Sequence, residues 1–144
     1  MPTPIRRFVV SEESMRPTLL PGDRLLGLRT ERLRIGDVVC FERRPDFWLV
    51  KRVAALSGEL SPIDAETVPA AHMVVLSDAR DRTLADSRSF GAVPVEGSYR
   101  AIFRYGPRGR VGRLRKLDIR RRARRVRGYD PASTNRRNDR GNPK

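Results

Sequence analysis

Phe47-Trp48-Leu49-Val50-Lys51-Arg52-Val53-Ala54-Ala55-Leu56 reads as a β-strand, the longest in the chain, and it carries a lysine at its middle. Residues two apart in a strand share a face. Lys51 therefore shares its face with Phe47, Leu49, Val53 and Ala55. An ammonium on such a face is costly unless it is paired or gives up its proton. Desolvation lowers a lysine pKa, and a neutral lysine can take a proton from a serine hydroxyl. The plainer reading is a strand-edge lysine whose head reaches water.

Outward from this strand the first hundred residues continue as short β-rich runs. Ile5–Val10, Asp23–Leu28, Asp37–Phe41, His72–Leu76 and Tyr99–Phe103 read as strands. Gly22, Gly36, Pro45, Gly58, Pro62, Pro69, Gly91, Pro94 and Gly97 punctuate the gaps. The expected fold class is mainly β, an irregular sheet of barrel-like form. At 144 residues the chain fits one domain, with 38% hydrophobic and 33% charged residues.

Two further segments carry polar residues with chemical potential. In Ser11-Glu12-Glu13-Ser14-Met15-Arg16-Pro17-Thr18-Leu19-Leu20-Pro21-Gly22-Asp23, a serine sits in a turn-forming stretch directly after a strand. Pro17 stiffens that stretch. A rigid turn presents a hydroxyl well, and the backbone N–H groups around it, that of Met15 included, can face an oxyanion. A serine that merely caps a turn is the plainer reading. In Thr83-Leu84-Ala85-Asp86-Ser87-Arg88-Ser89-Phe90-Gly91, the Asp86/Arg88 alternation invites a carboxylate–guanidinium bridge that fixes a loop, and Arg52 can join it. A solvated charged loop is the alternative. Ser14 and Lys51 together suggest a nucleophile and its base, since Ser/Lys is a known variant of serine-protease chemistry.

Taken in order, Ser14-Met15-Arg16-Pro17-Thr18-Leu19 with Gly22-Asp23, Gly36-Asp37-Val38-Val39, Val50-Lys51-Arg52-Val53, and Asp86-Ser87-Arg88 with Phe90-Gly91 resemble the type I signal peptidase family of Ser/Lys proteases. The spacing holds through Arg104-Tyr105-Gly106-Pro107, where relatives often carry Tyr-Trp-Pro. The resemblance implies a β-rich catalytic domain over residues 5–110, with Ser14 as nucleophile and Lys51 as general base. It implies oxyanion or orienting support from Met15, Arg52, Thr83, Asp86, Ser87 and Arg88, with the backbone N–H of Ser14 as one oxyanion donor. The implied partner is a polypeptide bound alongside a strand and cut after small residues, in an Ala-X-Ala-like pattern.

The chain departs from the family pattern at several places. Ser77-Asp78-Ala79 stands where relatives have Gly-Asp-Asn. The serine that helps orient the lysine in relatives is replaced by Leu84, with Thr83 one residue earlier. A local bulge would let Thr83 take that role. Glu12 occupies the position of a serine that some relatives use as an oxyanion donor, and a carboxylate there opposes an oxyanion if it points inward. The family's amino-terminal anchor has no counterpart in the few residues before Ser14. In this the chain is similar to a short soluble subgroup that processes the propeptide of nickel superoxide dismutase. The related self-cleaving repressors need a cleavage segment before the serine, for which those residues leave no room.

The net charge of +14 is unevenly spread. Residues 104–144 hold 16 Lys and Arg against 3 Asp and Glu, and residues 1–103 hold 15 against 14. Residues 111–144 therefore read as an Arg-rich tail, partly helical from about Leu114 or disordered, with Gly128 onward disordered in composition. Such a tail suits an anionic membrane surface. Nucleic acid is the less supported partner, because Tyr105 and Tyr129 are the only aromatics available for stacking. A non-catalytic member acting through its tail is the reading of another class. No run approaches the roughly 18 apolar residues of a membrane span, so the expected location is membrane-peripheral or cytoplasmic. Cys40 reads as a core residue and His72 as a surface residue beginning a strand. No cofactor fingerprint or metal-ligand spacing is present, so the sequence calls for no cofactor and no metal.

Overall fold

The computed structural model describes residues 3–81, 83, 85–106, 109 and 111–114. Leu84, Pro107 and the tail from residue 115, with its expected helix or disorder, lie outside the described residues.

Among the described residues, eight strands and one helical turn follow in chain order. They are β1 (Ile5–Val9), β2 (Arg24–Arg29), β3 (Val38–Arg44), β4 (Phe47–Leu56), β5 (His72–Leu76), α1 (Ser87–Phe90), β6 (Val93–Pro94), β7 (Tyr99–Tyr105) and β8 (Gly112–Arg113). They form one antiparallel sheet of order β1-β2-β7-β3-β4-β5-β6, with β8 added on β7. The mainly β class read from the alternation is what the structure shows. The barrel-like form is corrected: the strand path is open, with β1 and β6 at its ends. The β6 end is a two-residue strand whose Pro94 has no N–H to offer a further neighbour, so it suits an edge.

Boundaries moved by one to three residues. Val10 lies past β1, but its N–H still donates to Asp23 O at 2.8 Å, so the pairing runs on into the turn. Strand β3 extends to Arg44 because Asp46 turns the chain at φ 61 and its N–H is held by Glu42 Oε1 at 2.7 Å. Two short strands that the sequence reading did not anticipate appear, β6 and, where the arginine-rich stretch begins, β8.

Period-2 alternation builds the core on both faces of the sheet. Val38 and Cys40 join Phe8, Met15, Leu19, Leu25 and Tyr99 in one cluster. Val39 and Phe41 join Leu49, Val53, Met73 and Val75 in another. Buried on both faces, β3 is the axis of the molecule, and its neighbour β4 delivers Lys51. Where β1, β2 and β7 pack closely, Gly27 is required. A Cβ there would lie 2.9 Å from Phe8 Cε2 and 3.0 Å from Tyr99 Cβ, at a bulge between Leu26 and Gly27.

Candidate active site

The segment after β1 is a compact turn with apolar anchors. Met15 and Leu19 are four residues apart, are joined by the Leu19 N–H to Met15 O bond of 2.9 Å, and are both fully buried in the first cluster. Asp23 closes the far end by accepting from Leu20 N–H at 2.9 Å. Near its middle the turn is tied to the loop after β5, where Ala79 N–H donates to Ser14 O at 2.9 Å. The Arg16–Pro17 peptide is cis. Ser14 thus sits in a turn anchored in the core by its neighbours Met15 and Leu19 and tied by its own carbonyl to Ala79, distant in sequence.

Lys51 emerges from β4 directly at this turn. Its Nζ and Ser14 Oγ lie 2.8 Å apart, with the lysine drawn as donor. The lysine is 1% exposed and the serine 8%. At that separation a protonated lysine donates to the hydroxyl, and a neutral one accepts its proton. Burial is the largest influence on Lys51 and pushes its pKa below the ordinary value. The carboxylates of Glu12 and Asp86 pull it back up, and Arg88 pushes it down again. The strand-edge reading, with the ammonium in water, does not describe this lysine.

Around the pair lie two guanidinium–carboxylate units. Arg88 meets Asp86 through Nε to Oδ1 and Nη2 to Oδ2, both 2.9 Å. Burial disfavours the Asp86 charge. The bonds from the Arg88 side chain, the Ser77 N–H and the Arg88 N–H outweigh it, and they hold the carboxyl below its usual range. Ser87, one residue on, accepts from Val75 N–H at 2.9 Å and so clips α1 to β5. The second unit is built by Arg52, which grips Asp78 through Nε at 3.1 Å and Nη2 at 2.6 Å. Its Nη1 donates to Gly36 O, while Thr18 donates its hydroxyl to Asp78 at 2.6 Å. That unit joins the Ser14 turn, β4 and the loop after β5.

The remaining predicted residues fall as follows. Met15 carries its backbone in the turn beside Ser14 and its side chain in the core. Thr83 lies in the loop before α1, where its hydroxyl accepts from Ala85 N–H at 3.0 Å and its carbonyl from Arg88 Nη2. Glu12 lines a small cavity of about 70 Å³ together with Val10, Ser14, Met15, Leu49 and Lys51. A larger cavity of about 600 Å³ lies between β2, β7 and β8, away from Ser14 and Lys51. Among the described residues no group of three or more His, Cys, Asp and Glu is placed to hold a metal. His72 begins β5 with its Nδ1 2.8 Å from Ala70 O. Cys40 is buried in β3, and burial pushes its thiol pKa far up.

Sequence reasoning missed the roles of Asp78, Thr18 and Ser77. A signal for the first was present: an arginine next to a buried lysine also demands a carboxylate.

Residues 3–64 match the family model for signal peptidase, peptidase S26. The matched segment contains both Ser14 and Lys51. The match spans less than half of the chain; over residues 3–64 the chain is similar to signal peptidases of the S26 family, which supports a peptidase. No curated protein matches it significantly.

Proposed function

We propose that the protein is a serine endopeptidase in which Ser14 is the nucleophile and Lys51 the general base, removing a signal peptide or propeptide after small residues. The observation that carries this reading is the 2.8 Å contact between a buried serine hydroxyl and a buried lysine nitrogen. Neutral Lys51 takes the Ser14 Oγ proton as Oγ attacks the scissile carbonyl. The electron pair moves onto the carbonyl oxygen, where backbone N–H groups of the turn are available. When the C–N bond breaks, the Lys51 ammonium returns that proton to the departing amine. Water then gives a proton to Lys51 and attacks the ester, and as the C–Oγ bond breaks Lys51 passes that proton to Ser14 Oγ, releasing the acid and restoring both groups.

The cavity beside the pair supports a small side chain at the cut. Purified protein should cleave a peptide carrying an Ala-X-Ala site, read by mass spectrometry, and Ser14→Ala and Lys51→Ala should not. Cleavage that survives Ser14→Ala would exclude the assignment. The substrate can equally be a single propeptide of nickel superoxide dismutase type, and a propeptide panel in the same assay separates the two.

An anionic membrane surface is the further partner we propose, on the strength of the 16 Lys and Arg in residues 104–144. Salt-sensitive sedimentation with anionic but not neutral vesicles is the expected result.

A further inference from the structure

Lys51 is held from one side by Ser14, and among the described residues no other hydrogen bond to its nitrogen is seen. Three observations identify a second group placed to hold it. Strand β5 pairs with β4 so that Leu76 lies across from Arg52. Carried one residue further, this antiparallel register sets Ser77 across from Lys51. Opposite residues of an antiparallel pair point to one face of the sheet, and the shared cluster of Leu49, Val53, Met73 and Val75 confirms the parity of both strands.

The second observation is that Ser77 is 1% exposed and its hydroxyl has no hydrogen-bond partner among the described residues. A buried hydroxyl is rarely left so without a reason. The third is that the Ser77 backbone is pinned: its N–H donates to Asp86 Oδ2 at 2.9 Å, and Asp86 also acts on Lys51. The hydroxyl is thus left one rotatable bond, χ1, on a fixed backbone beside the lysine.

We infer that Ser77 is the positioning residue for Lys51, its hydroxyl accepting a hydrogen bond from the lysine nitrogen and so aiming the lone pair of the neutral amine at Ser14. This rests on the Ser/Lys reading above. Thr83 is the competing candidate, and its hydroxyl is engaged by Ala85 N–H in an exposed stretch of loop.

The test uses the full chain with ¹³C-labelled lysine. The Lys51 ε-methylene signal, assigned by its loss in Lys51→Met, is titrated with pH in wild type, Ser77→Ala and Thr83→Val. An acceptor on Lys51 favours its charged form, so Ser77→Ala should lower the midpoint against the fixed background of Glu12, Asp86 and Arg88. On a cleaved peptide, kcat should fall about ten- to a hundredfold with KM unchanged. Ser77→Thr, which keeps the hydroxyl, should restore most of it. A purely structural role would lower Tm and leave the Lys51 midpoint in place, whereas the positioning role moves the midpoint whatever Tm does. An unmoved Lys51 midpoint in Ser77→Ala, or a midpoint moved by Thr83→Val instead, would overturn the inference. Loss of cleavage in Ser14→Ala and Lys51→Met alongside an unaffected Ser77→Ala would sink the Ser77 role alone. Cleavage surviving in those two variants would sink the dyad itself.

Discussion

Lys51 Nζ lies 2.8 Å from Ser14 Oγ, although 37 residues separate them in the chain. The contact exists because two independent constructions meet. Strand β4, packed between β3 and β5, carries Lys51 inward on an apolar face. The turn after β1 is anchored by Met15 and Leu19 and docked by Ala79, and it points Ser14 at the same spot. Burial then depresses the lysine pKa, which is what a lysine base requires.

Removal of either partner should end catalysis. We expect Lys51→Ala and Ser14→Ala each to lower kcat by at least about a thousandfold, and the double variant to be little worse than either. Lys51→Arg should be as inactive as Lys51→Ala, because a guanidinium stays protonated at any working pH. Steady-state cleavage of a small-residue peptide checks all four. Strictly additive losses would mean the two groups do not act as a unit.

Activity should rise with pH as Lys51 loses its proton, with the midpoint below the ordinary lysine value of 10.5. Glu12 favours the charged form, so Glu12→Gln should move that midpoint to lower pH and raise activity at neutral pH. The profile of kcat/KM against pH reads this directly. A shift to higher pH would show that Glu12 acts through something other than its charge.

Lys51 also has a stability consequence. Its folded pKa is lowered, so between that value and 10.5 the unfolded chain binds more protons and stability rises with pH. Below the folded pKa the cost of burying the ammonium is fully present. Lys51→Met should therefore raise Tm at neutral pH and flatten the alkaline rise. Thermal unfolding of both proteins from neutral to alkaline pH is the measurement, and parallel curves would contradict it.

Asp78 should matter to stability more than its place in a loop suggests. Arg52 is 3% exposed and Asp78 5%, so Asp78→Asn removes a buried carboxylate from a buried guanidinium. We expect a loss of about 3–5 kcal/mol in denaturant unfolding. Activity should fall as well, since Thr18 and the nucleophile turn hang on the same carboxylate. A loss under about 1 kcal/mol, the range of a surface ion pair, would mean the unit is wet in solution.

Cys40 should be inert. It is fully buried in β3 with its thiol pKa pushed far up, so the reactive thiolate is absent in the folded state. A thiol reagent should react only as fast as the protein unfolds. Rapid stoichiometric labelling without denaturant would show that β3 opens.

Much of this was legible beforehand for a physical reason. Alternation at period 2 is local, so β4 and β5 appeared at their observed limits, and the apolar face under Lys51 could be read directly. The Asp86–Arg88 bridge was legible because the two residues are close in sequence and fix one loop. The open sheet was not legible, because closure depends on which strand edges meet. Neither was the Arg52–Asp78–Thr18 unit, whose members lie 26, 34 and 60 residues apart.

The sequence by itself determined the six longer strands, the stiff turn that carries Ser14 and the apolar setting of Lys51, since each rests on neighbours in the chain. Only the tertiary structure decided that the two meet at 2.8 Å, that Arg52 belongs to Asp78, and that the buried Ser77 hydroxyl has no hydrogen-bond partner among the described residues. Those are relations between side chains brought together by strand pairing and core packing, and a buried polar group is read only against what surrounds it.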